Sequence, residues 1–111
     1  MNHQQILDDL GRPVKDLSAA VPEVFGGYAR MRGAAMGDGA LDAKTKELIA
    51  LATAVTKQCD GCMASHARGA ARRGATAEEV AEALGVAISM NGGPGTVHAP
   101  CAFVAFNELR G

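Results

Sequence analysis

At 111 residues, with 11 basic and 12 acidic side chains, the chain has the length of one domain and a net charge of −1. That balance excludes the positive excess expected of a nucleic-acid or anionic-membrane binder. No apolar run reaches the roughly 18 residues of a membrane span. The N-terminus, Met1-Asn2-His3-Gln4-Gln5, lacks the apolar region of a signal peptide, so a cytoplasmic chain is expected.

Strand signals are nearly absent, since no stretch alternates and β-branched residues are scattered. Two short helices are expected near 3–10 and 14–18, separated by Gly11-Arg12-Pro13, with His3 in a mobile terminus. Val21-Pro22-Glu23 opens the next helix, Pro22 suiting a first turn. It runs to about Ala35 and carries Val24, Phe25, Tyr28, Met31 and Arg32. Gly37-Asp38-Gly39 reads as a loop. Asp42 can cap a helix over about 43–57, whose apolar stripe is Leu48, Leu51, Ala52 and Val55. Glu47, one turn before Leu51, falls on or beside that stripe. A helix over about 60–73 follows, closed by Gly74 as a left-handed cap. Thr76-Ala77-Glu78-Glu79 reads as a capping box, opening a helix to about Met90 with Val80, Leu84, Ala87 and Ile88 inward. Asn91-Gly92-Gly93-Pro94-Gly95 is a hard stop. The last helix, over about 96–109, carries Val97, Cys101, Val104 and Leu109, and Pro100 is expected to kink it or mark its true start. The chain therefore reads as one all-α domain over 1–111, with about six helices. Its 22 alanines and 14 glycines, against three Phe, one Tyr and no Trp, leave each helix little area to bury. Subunit association is expected to supply part of the core.

The chemistry concentrates in Cys59-Asp60-Gly61-Cys62 and His66, two of three cysteines and one of three histidines within eight residues. On a helix these positions are spaced i, i+3 and i+7 and share a face. A thiol is mostly protonated at neutral pH and only its thiolate is a useful nucleophile. The N-terminal end of a helix contributes about 0.3–1 kcal/mol to the anion, so a donor or cation is needed as well. His66, one turn after Cys62, is the nearest candidate. Arg68, Arg72 and Arg73 could add positive potential there, but read first as a solvated helix face. An ionised Glu47 beside a thiolate would oppose its formation, so Glu47 can help only by accepting a proton, through His66 or water, or by pairing with imidazolium. Otherwise it is an ordinary surface glutamate. The dithiol itself admits three readings. It is redox-active, it binds zinc with His66 and either Cys101 or His98, or it is a pair of inert buried cysteines. Cys101, among Ala99, Ala102, Phe103 and Val104, reads as a buried, unreactive thiol, and His98 as a packed or interfacial side chain.

Glu47, eleven residues, Cys59-x-x-Cys62, three residues, His66 resembles the pattern of the alkylhydroperoxidase D (AhpD-like) and carboxymuconolactone decarboxylase superfamily. Lys46-Glu47-Leu48-Ile49-Ala50-Leu51-Ala52 is similar to the family's helix before that dithiol, and Asn91-Gly92-Gly93-Pro94 leading into a terminal helix to the family's ending. The resemblance covers about 40–109. It implies an all-α fold, a helix hairpin around the dithiol and an obligate homo-oligomer, trimeric or hexameric. By position it makes Cys62 the peroxide-attacking thiolate, Cys59 its resolving partner or proton donor, and Glu47 with His66 the proton relay, with no cofactor and no metal. The implied activity is a thiol-dependent peroxidase, recycled by a dithiol reductant such as a lipoyl group or a thioredoxin-like protein. Gly61 stands where AhpD-like proteins carry a second relay histidine, which leaves a disulfide reductase or redox carrier as the alternative. The decarboxylases proper lack the paired cysteines, so the dithiol argues against decarboxylation. One physical point runs the other way: Cys59 lies closer to the helix N-terminus, which suits it to attack a partner's disulfide.

Overall fold

Periodicity and caps become six helices and no strand in the computed structural model, which describes residues 1–111. They are α1 (His3–Ala20), α2 (Pro22–Met36), α3 (Ala43–Lys57), α4 (Asp60–Arg72), α5 (Ala77–Asn91) and α6 (Gly93–Leu109). The core lies among α3, α4, α5 and α6. Leu51 and Val55 of α3, Met63 of α4, Val80 of α5 and Phe106 of α6 are its largest fully buried side chains. Seven of its thirteen members are alanines, which brings the helices close and buries little area per residue.

The local signals explain most of the boundaries. Asp42 caps α3 by accepting a hydrogen bond from the Thr45 N–H at 2.7 Å. Thr76 and Glu79 complete both arms of a capping box at the start of α5, at 3.1 and 2.9 Å. Gly74, at φ +80°, closes the turn after α4.

Three expectations change. The two short N-terminal helices are one, because Pro13 forfeits a single N–H bond and the freed carbonyl of Asp9 lies on an exposed stretch open to solvent. The stop after α5 narrows to Gly92 alone, at φ 63° and ψ −134°, and α6 restarts at Gly93 and runs through Pro100. His3 is not mobile. It is 3 % exposed, and its backbone N–H and Nδ1 both reach Glu108 Oε2, at 2.8 and 3.2 Å. The first N–H groups of a helix have no internal partner and favour a negative charge, which Glu108 supplies from the far end of the chain.

Candidate active site

Only Gln58 and Cys59 separate α3 from α4. Gln58 takes the left-handed conformation at φ 53°, the only non-glycine residue to do so, which lets the chain reverse within two residues. Its N–H bonds Val55 O at 3.1 Å, and the Cys59 N–H bonds Ala54 O at 3.2 Å. The helices therefore form a hairpin, and Glu47, near the start of α3, meets α4 well beyond the dithiol. There its Oε2 lies 2.8 Å from His66 Nδ1. Glu47 is 8 % exposed, the one buried carboxylate of the chain. It is a nearly buried residue with a single imidazole partner, not an ordinary surface glutamate.

Gly69 makes room for that carboxylate. A Cβ added at position 69 would fall 2.5 Å from Glu47 Cδ and Oε2, far inside contact distance. The glutamate thus packs directly on the backbone of α4, three residues past its histidine. A glycine inside an otherwise regular helix was the available sign, since it weakens the helix unless something packs on it.

Cys59 is the N-cap of α4. Its Sγ accepts a hydrogen bond from the Cys62 N–H at 3.2 Å, and it is joined to Cys62 as a disulfide with the Cα atoms 5.2 Å apart. Both cysteines are half-buried. In the dithiol state the same backbone donor and helix terminus stabilise negative charge at Cys59. His66 lies one turn beyond Cys62, about 5–6 Å away between Cβ atoms. With an ionised Glu47 accepting from Nδ1–H, the lone pair of the ring sits on Nε2, which no protein group engages. Gly61 is also filled from outside: a Cβ there would come 2.9 Å from Leu10 Cδ1 of α1. A side chain at this position has to displace that methyl.

The remaining candidates stay apart. Cys101 is half-buried rather than buried, with its Sγ 3.5 Å from Val97 O. Ala99, Ala102 and Ala105 take the inward face of α6 and leave position 101 on the flank. His98 is likewise half-buried. No three His, Cys, Asp or Glu side chains converge as a ligand set for a metal.

Residues 22–103 match the model of the carboxymuconolactone decarboxylase family, starting earlier than the sequence resemblance suggested and including α2. An uncharacterized protein of Cupriavidus necator is 41 % identical over 104 residues, 94 % of this chain and 92 % of its own length. Uncharacterized protein 4 in the cox locus of Paracoccus denitrificans is 46 % identical over 74 residues, 67 % of each chain. The crystal structure of a carboxymuconolactone decarboxylase family protein from Legionella pneumophila is 41 % identical and covers 98 % of this chain and 97 % of its own. Its TM-score is 0.95.

Proposed function

The chain belongs to the carboxymuconolactone decarboxylase family, and from that premise and the site geometry we propose that it is a thiol-dependent peroxidase working through Cys59 and Cys62. The observation that carries this reading is the buried Glu47–His66 pair on the helix face of Cys62, one turn away. Peroxide reduction needs a proton removed from the attacking thiol and another delivered to the leaving oxygen. An imidazole held by a carboxylate through Nδ1, with Nε2 free, is built for that exchange.

In this mechanism His66 takes the Cys62 thiol proton and the thiolate attacks the terminal peroxide oxygen. The O–O bond breaks, its electron pair leaves on the alkoxide, and His66 returns the proton to give the alcohol. Cys62 is now a sulfenic acid. Cys59 thiolate attacks its sulfur, hydroxide departs and is protonated to water, and the disulfide forms. An external dithiol, of lipoyl or thioredoxin-like type, returns two electrons and two protons through a mixed disulfide. A reducing cytoplasm would keep that donor available. No helix is long and apolar enough to cross a membrane.

Reductant-coupled peroxide consumption tests the assignment. Cys62→Ser and Cys59→Ser are each expected to abolish it, and His66→Ala to lower it by about 10²–10⁴-fold. Full activity in Cys62→Ser would overturn the mechanism.

One observation favours a second reading, a disulfide reductase. The hydrogen bond to Cys59 Sγ at the α4 N-terminus activates Cys59 rather than Cys62. A charge-assisted bond of about 1.5–3 kcal/mol and about 0.3–1 kcal/mol from the helix terminus would both favour negative charge on Cys59 without help from His66. Reduction of insulin or lipoyl disulfides that survives His66→Ala, with negligible peroxide consumption, would establish that reading in place of the first.

A further inference from the structure

Arg72 and Arg73 are exposed and Arg68 half-buried, as a solvated helix face requires, and the three also line one side of a groove. With Arg32 of α2 they surround a cavity of about 280 Å³ whose floor includes Glu47 and Gly69. None of the four lies within ion-pair distance of a carboxylate, because the ion pairs of the chain are His3–Glu108, Arg12–Asp16, Lys44–Glu79 and His66–Glu47. The acids nearby are committed elsewhere. Glu47 holds His66, and Asp38 and Asp42, which share a neighbouring cavity with Arg73, accept the N–H groups of Ala43 and Thr45. Four guanidinium groups without a direct ion pair around one space repel one another, and an anion among them, held away from the Glu47 carboxylate, relieves that repulsion. Their planar forks match an oxyanion with two oxygens.

The space does not end at the arginines. At Arg32, Glu47 and Arg73 it meets a second cavity of about 410 Å³, walled on α2 by Phe25, Tyr28, Ala29 and Met36. One end of the combined groove is cationic and the other apolar. We propose that it binds a small organic carboxylate with an apolar body, the carboxylate among Arg32, Arg68 and Arg72 and the body along α2. The groove abuts the carboxylate that holds His66. On the peroxidase reading, therefore, the preferred substrate is a hydroperoxide that also carries a carboxylate. The binding proposal stands without that reading.

Calorimetric titration of the oxidised full chain with octanoate, acetate, octanol and inorganic phosphate tests the site, with an Arg68→Gln/Arg72→Gln double variant alongside. Octanoate is expected to bind saturably, one per chain, about tenfold tighter than acetate or phosphate. The double variant is expected to lose about tenfold in octanoate affinity at an unchanged melting temperature. Octanol binding as tightly as octanoate, undiminished octanoate binding in the variant, or no octanoate binding at all would overturn the site. Phosphate binding as tightly as octanoate would overturn the apolar half of it. For substrate class, the ratio of kcat/KM for a carboxylate-bearing over a neutral hydroperoxide is expected to fall about tenfold in the double variant. An unchanged ratio with turnover intact overturns the substrate assignment. Absence of peroxide turnover in the wild type removes the peroxidase reading and with it the hydroperoxide assignment, and the octanoate titration then decides the site by itself.

Discussion

Gly69 is worth more to this protein than helix propensity suggests. Replacing an interior helical glycine by alanine ordinarily stabilises by about 0.5–1 kcal/mol. At position 69 the new methyl would stand 2.5 Å from the Glu47 carboxylate. Gly69→Ala is therefore expected to melt no higher than wild type, to lose the Glu47–His66 hydrogen bond by NMR of the imidazole, and to cut peroxide turnover at least about tenfold. Gly85 of α5 provides the control, since a Cβ there meets nothing within 4 Å. Gly85→Ala is expected to gain the propensity term and leave turnover unchanged. A Gly69→Ala protein with normal turnover would show that the packing of Glu47 is incidental.

At the scale of the element, the ends of the helices carry separable stabilities. Thr76→Ala removes one arm of the α5 capping box and is expected to cost about 1 kcal/mol, a few degrees in thermal midpoint, without touching the dithiol. The end of α1 depends on pH instead. The His3 backbone N–H, and secondarily its imidazole, hold the Glu108 carboxyl below the usual range. Glu79, through the Thr76 N–H, and Asp42, through Thr45, are shifted the same way. A depressed carboxyl stabilises the fold above its unfolded value of about 4 and loses that contribution as pH falls through the folded one. Lys44 is raised by Glu79, so its contribution persists below about pH 10.4 and is lost as pH rises past the folded value. NMR of α1 is expected to show its first turns loosening below about pH 4, and Glu108→Gln should remove that transition from α1 alone. Loosening that persists in Glu108→Gln would place its origin elsewhere.

At the scale of the molecule, the core is small for the chain. Only 18 of 111 residues are buried, and none of them is on α2. Val24, Tyr28 and Met31 of that helix are 66, 55 and 64 % exposed and follow one another at i, i+4 and i+7. A contiguous apolar stripe of this kind is where the subunit association expected from the family resemblance would take place. Tyr28 belongs both to this stripe and to the apolar end of the groove, so a partner subunit seated on the stripe would border the groove. Sedimentation of the wild type is expected to give a trimer or hexamer, and Val24→Glu with Met31→Glu a smaller, less stable species. A wild-type monomer at micromolar concentration would refute the proposed assembly.

The sequence alone determined the all-α class, the caps at Asp42, Gly74 and Thr76, Leu51 and Val55 as the buried heart of the α3 stripe, and the dithiol at the head of α4. These are properties of residues within one or two turns of each other, where periodicity and capping chemistry act. Tertiary structure decided which face of α6 is inside, turning Ala99, Ala102 and Ala105 inward and Val97 outward, against what side-chain size alone would suggest. It also decided that Glu47 is buried on His66 over Gly69, that His3 is pinned by Glu108, and that Arg32 joins the arginines of α4. Each of these joins residues from different helices, in the case of His3 and Glu108 from opposite ends of the chain. Their contact depends on how close two backbones can come, and no pattern within a single helix encodes that distance.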